Sequence, residues 1–113
     1  MTDKALTYDE GKVPLSRLPW AAIRELAMVQ AYGCEKYGDF ENYRKGLEVS
    51  RNISCALRHI VAYMEGFDND RDSGLPHLAH ALSRIAFVIQ NQHDRTAIDD
   101  RFRTEAKNAK DRT

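Results

Sequence analysis

The sequence predicts an all-α chain: a small bundle of three main helices plus a tail helix, completed by oligomerisation. Two segments repeat apolar residues at helical spacing, no stretch alternates with the period of a strand, and the backs of the periodic helices lack the Lys and Glu of plain surface. At 113 residues the chain fits one domain. The reading divides it into a helical domain with an extended N-terminal arm over 1–92 and a charged tail over 93–113.

Met1 to Leu15 mixes Thr, Asp, Lys and Gly without useful periodicity and reads as the extended arm. Leu18-Pro19-Trp20 opens the first helix, in which Ile23, Leu26, Ala27 and the stretch near Gln30 recur at helical spacing to about Tyr32. Pro19 suits a first turn, where no amide partner exists, and Gly33 is expected to end or bend the helix. Gly33 to Gly46, rich in glycine, aromatic and charged residues, reads as a structured loop. In the second helix Ile53, Leu57, Ile60, Val61 and Met64 form one stripe between Ser50 as cap and Gly66 as stop. In the third, Leu75, Leu78, Leu82, Ile85, Ala86 and Ile89 repeat the pattern, with Pro76 in the first turn. Beyond Asn91 only Ile98 and Phe102 keep an i, i+4 pair, which predicts a frayed or partner-stabilised tail helix.

At about 100° per residue, His77, His80, Arg84 and Phe87 lie opposite the third helix's stripe, and Cys55, Arg58, His59 and Ala62 opposite the second's. These backs predict a second contact surface, either a subunit interface or a pocket. A homo-oligomer joined through the face of His77, Arg84 and Phe87 is the expected assembly. The turn between the two helices is short enough to make them antiparallel neighbours, so Arg58, His59, His77 and His80 are expected in one site.

Lys plus Arg and Asp plus Glu both total 17, so the formal charge is zero. That argues against nonspecific grip on duplex nucleic acid or an anionic membrane, which rests on net positive charge. With 42% hydrophobic and 30% charged residues the chain is neither disordered nor membrane-spanning in composition. Met1 leads into Thr2-Asp3-Lys4 without the apolar core of a signal peptide, so a cytoplasmic protein with reduced Cys34 and Cys55 is expected.

His77-x-x-His80 sets two imidazoles on adjacent turns, and with His59 they form a set able to hold a transition metal, Glu65 or an acid of the turn completing the shell. Hydrogen-bonded interface residues or anion ligands are the alternative. Asp68-x-Asp70-x-Asp72 resembles the start of a calcium loop, but Ser73 and Ala79 stand where such a loop needs Gly and Glu. The acids then either bind Mg²⁺ through water or favour the positive end of the following helix. Lys12, Lys36, Arg44, Lys45, Arg51, Arg58 and Arg84 are interleaved with Tyr8, Tyr37 and Tyr43, a mixture that clamps phosphates and stacks on a base. It points to a free nucleotide. The alternative for each residue singly is solvated surface. Glu25 and Glu35 are the remaining acids near this loop, and no Gly-rich phosphate loop or paired nucleophile is present.

Five pieces occur in order from about residue 8 to 90: Tyr8-Asp9-Glu10-Gly11-Lys12, Lys36-Tyr37-Gly38-Asp39, Asn42-Tyr43-Arg44-Lys45-Gly46, Leu57-Arg58-His59, and Asp70-Arg71-Asp72-Ser73-Gly74-Leu75-Pro76-His77-Leu78-Ala79-His80. As an ordered set they resemble the N-terminal domain of phage-associated dATP/dGTP diphosphohydrolases. That family favours Trp at Tyr43, an acid at Phe67, Pro at Arg71 and Glu at Asp72; Phe67 removes one carboxylate ligand. The resemblance implies cleavage of a purine deoxynucleoside triphosphate to monophosphate and pyrophosphate, in the manner of all-α MazG-like enzymes, which hold Mg²⁺ or Mn²⁺ with E-x-x-E and E-x-x-D motifs. Here Arg58-His59 and His77-x-x-His80 stand where those motifs are expected, and Glu65-x-x-Asp68 is interrupted by Gly66.

The expectation is therefore Glu65 and Asp70 as catalytic acids, with Glu35, His59, His77 and His80 as ligands of Mg²⁺ or Mn²⁺. Lys12, Lys36, Tyr37, Tyr43, Arg44, Lys45, Arg58 and Arg84 are expected to hold the nucleotide. The rival readings are a noncatalytic phage protein that sequesters a host nucleotide signal, suited by many donors and few acids, and a plain helical interaction module.

Overall fold

A computed structural model describes residues 3–103. Three helices carry the fold: α1 (Trp20–Tyr37), α2 (Val49–Met64) and α3 (His77–Asp94), with short 3-10 turns at Leu15–Arg17 and Asn42–Lys45. Among the described residues the only β features are isolated bridges, Glu48 with Ile98 and Asn69 with Pro76. The chain is all-α. Among the described residues no helix is long and apolar enough to cross a membrane.

Residues 3–14 are exposed, as an extended arm should be. Pro19 precedes α1, and the Trp20 indole N–H donates to the Ser16 carbonyl at 3.0 Å, fixing the entry. The helix does not end at Gly33. One glycine inside a helix costs only about 1 kcal/mol, and α1 continues for another turn to Gly38, whose left-handed φ of 76° and N–H to the Cys34 carbonyl close it. The expected loop is thus partly helix and partly the turn Asn42–Lys45.

The α2 start also differs from expectation. Ser50 lies inside the helix, and the first amides of α2 are satisfied by the segment after α3: Val49 N–H donates to the Ile98 carbonyl, and Ser50 N–H to Asp100, both at 2.9 Å. The Ser50 hydroxyl also donates to Asp100. A carboxylate at a helix N-terminus satisfies orphan donors and favours the dipole. This use of the segment explains why no tail helix forms up to residue 103. Arg95 stops α3 in a left-handed conformation (φ 60°), and the chain then turns back toward α2. The remainder of the expected tail helix, 104–113, lies outside the described residues.

α2 and α3 form an antiparallel pair. Arg84 donates to the Asn52 amide oxygen at 3.1 Å, and seven residues on in α2 and back in α3, His59 meets His77 at 2.8 Å. The buried positions are small: Val29, Val49, Ala56, Ala79, Ala81 and Val88, with Asn52, Ser83 and Asn91. Small side chains let helices approach closely, so the interior is built from these positions, none of which belongs to the Leu and Ile stripes. The Leu and Ile stripes face outward instead; Leu57 is 53% exposed and Met64 77%. The helices are rotated relative to expectation: the face of His77, His80, Arg84 and Phe87 is part-buried, and His80, Arg84 and Phe87 line a cleft, the pocket that was one of the two expected uses of that face.

Candidate functional site

The inward backs enclose a cleft of about 520 Å³ between α1, α2 and α3, covered by the turn Asn42–Lys45 and bounded by the α2–α3 connection. Gly46 permits that cover. A Cβ there would stand 2.3 Å from the Thr96 carbonyl oxygen, and its φ of 89° suits glycine alone. Arg44 fastens the turn to the end of α3 by bonding Glu41 at 2.8 Å and Asp94 at 3.1 Å. Tyr43 stacks on Phe87, with centroids 4.5 Å apart and planes 5° from parallel.

The connection delivers the acids. The Asp70 carboxylate accepts the backbone N–H groups of Asp72 and Ser73, each at 2.9 Å, a tight local turn that aims the side chain back toward α2. One ligand atom from each of His59, Asp70 and His77 then lies within 4.8 Å of the others. Two imidazoles and a carboxylate are donors that fit a divalent ion. His80 is not in that group. It stacks on His59 with centroids 4.6 Å apart, and its Nε2 faces the Ser73 hydroxyl at 2.7 Å. Tyr32 of α1 meets the edge of the same ring.

Electrostatics follow from this crowding. Burial, then the neighbouring His80 and His77, pushes the His59 pKa down to about 4, against a smaller opposing pull from Asp70. Burial likewise lowers His80. For Asp70 burial pushes upward, but the two amide hydrogen bonds and the nearby histidines prevail and hold it below the usual carboxylate value. A neutral His59 imidazole beside an ionised Asp70 carboxylate is the pair of protonation states in which these two groups can ligate.

Of the residues expected to hold a nucleotide, Lys36, Tyr37, Tyr43, Lys45 and Arg84 line the cleft. Arg84 has no carboxylate partner among the described residues, its only recorded side-chain bond being to Asn52. Arg44 is committed to Glu41 and Asp94, and Tyr43 already gives a ring face to Phe87. Arg58 lines a smaller recess alongside Arg51 and Ser54, so it does not join the histidines. Lys12 lies on the exposed arm, Glu35 on the exposed side of α1, and Glu65 at the exposed end of α2; none of the three lines the cleft. Conversely, the cleft uses residues the sequence reading did not name for it: Asn52, 2% exposed beneath Arg84, Ser73 fixing His80, and Tyr32. Cys34 and Cys55 are both free thiols.

The family model described as "dATP/dGTP diphosphohydrolase, N-terminal" matches residues 2–101, taking in every helix and the whole cleft. A dATP/dGTP diphosphohydrolase of Salmonella phage PMBT28 is 35% identical over 96 residues, 85% of this chain and 32% of that protein. The chain therefore spans about a third of that relative's length. No solved structure matches. Because the match covers the arm, all three helices and the acidic connection that carries Asp70, the chain belongs to the family of dATP/dGTP diphosphohydrolase N-terminal domains.

Proposed function

We propose that the cleft takes a purine deoxynucleoside triphosphate together with Mg²⁺ or Mn²⁺ and hydrolyses it to the monophosphate and pyrophosphate. The observation that carries this reading is the juxtaposition of a divalent-ion donor set, two of whose members line the cleft, with cations on the walls of that cleft, among them Arg84, which has no carboxylate partner among the described residues. His59, Asp70 and His77 are the residues that would hold the ion. When bound, such an ion neutralises phosphate charge and activates water. Arg84, Lys36 and Lys45 supply the remaining positive charge along the walls. Tyr37 and Phe40, about half exposed beside the cleft, offer ring faces to a purine, whereas Tyr43 braces the cover against Phe87. In the hydrolysis a water oxygen joins the α-phosphorus, the bond to the bridging oxygen of the β-phosphate breaks, and pyrophosphate leaves. The water's proton passes to a base, for which the neutral His80 imidazole is available. Glu65, outside the cleft, has no part in this reading. The name of the phage relative supports the same substrate class.

One observation favours a second reading, noncatalytic retention of a nucleotide. Among the described residues the cleft wall carries Asp39, Asp70 and Asp72 as its only acids, and Asp39 already approaches Lys45 at 3.8 Å. Anion binding needs donors and little else. Incubating the protein with dATP or dGTP and either metal, then separating the nucleotides by anion exchange, decides between the two. Conversion to monophosphate and pyrophosphate, abolished by EDTA, is expected. Intact triphosphate recovered with the protein after long incubation overturns hydrolysis in favour of retention.

A further inference from the structure

The outward stripes of α2 and α3 need an explanation that the cleft does not give. On α2, Ile53, Leu57, Val61 and Met64 are exposed, and on α3, Leu78, Leu82, Ile85 and Ile89 are exposed, each between 36% and 77%. Helical geometry places both stripes on one side of the antiparallel pair. Cys55 and His59 on α2, and Ser83 and Phe87 on α3, mark the cleft side and lie roughly opposite them. No charged residue interrupts either stripe, and Ser50, Ser54, Gln92 and His93 border them. Surface helices ordinarily present Lys and Glu there.

We propose that this face is where a second copy of the chain docks, two antiparallel α2–α3 pairs closing into a four-helix bundle about a twofold axis. The area fits that occupant. With a fully exposed Leu or Ile presenting about 200 Å², the eight side chains offer roughly 800 Å², the share that each partner of a standard-sized interface buries. It also exceeds the patch of roughly 300–600 Å² that a typical monomer leaves in water. A surface uniformly apolar and free of charge is complementary to itself, which a twofold contact requires. The two-helix pair is half of a bundle whose other half has the same sequence. The clefts then face outward on opposite sides of the dimer. Assembly is thus independent of the chemistry in the cleft, and it uses the helix face opposite to the one on which the sequence reading had placed it.

Sedimentation equilibrium of the full chain across the micromolar range tests the assignment. A dimer of twice the 12.9 kDa chain mass is expected, and the Leu57→Glu, Leu82→Glu double variant should sediment as a monomer with its helical circular dichroism retained. Should that variant lose its helices, Leu57→Gln and Leu82→Gln singly must each weaken dimerisation by about tenfold or more, the scale of a lost interface anchor. A wild-type monomer throughout the range, or a dimer whose affinity ignores the single substitutions, overturns the proposal.

Discussion

His59 is the residue on which the cleft turns. It meets His77 at 2.8 Å, stacks on His80, and shares the donor group with Asp70. Its pKa is about 4 in the fold against about 6.5 when unfolded, so between those values the unfolded chain binds the extra proton. Stability from this residue is complete above the unfolded value and is lost as pH falls toward 4. Thermal melts in chelator between neutral pH and pH 4 should show the wild type losing more of its melting temperature than His59→Gln; parallel curves would contradict the assignment. The His77-x-x-His80 spacing and the neighbouring helix made the imidazoles legible in the sequence. Asn52 and Ser73 were not legible, because a polar residue's value inside a fold depends on a partner 32 residues away for Asn52 and on a turn geometry for Ser73.

Among the elements, the existence of the three main helices was legible, whereas their orientation and the non-helical course of residues 96–103 were not. Periodicity identifies a stripe of Leu and Ile, but it is silent on which neighbour covers the stripe, and in α2 and α3 the small residues on the other side let the helices pack closer. Ends were misread where long-range contacts decide them: Gly33 yields to Gly38, and Ser50 gives way to an acceptor fifty residues on. The cover over the cleft depends on Gly46. Alanine there must displace the Thr96 carbonyl and hold a positive φ, so Gly46→Ala should destabilise the protein by about 1–3 kcal/mol. Urea denaturation measures this, and an unchanged midpoint would show that the approach of Thr96 to the turn does not constrain the fold. Because the substitution also shifts the cover carrying Tyr43 and Lys45, nucleotide binding should weaken with it.

The molecule as a whole is two-sided: a cleft carrying His59, Asp70, His80 and Arg84 on one side of the α2–α3 pair, an apolar face on the other. The ordered motifs were enough to read the family, whereas which side of each helix turns inward came only with the packing. Glu35 and Glu65 were drawn into the site by their acidity and their place in the sequence, yet the helices carry them away from the cleft. The proposed divalent-ion site is the group His59, Asp70 and His77, of which His59 and Asp70 line that cleft. Titration of the protein with Mn²⁺, followed by the loss of the free-ion electron paramagnetic resonance signal, tests it most directly. Stoichiometric uptake by the wild-type chain, weakened by about tenfold or more in His77→Ala and Asp70→Asn but unchanged in Glu65→Gln, is the predicted result. Absence of uptake by the folded wild type, or uptake that is indifferent to His77 and Asp70, would contradict it.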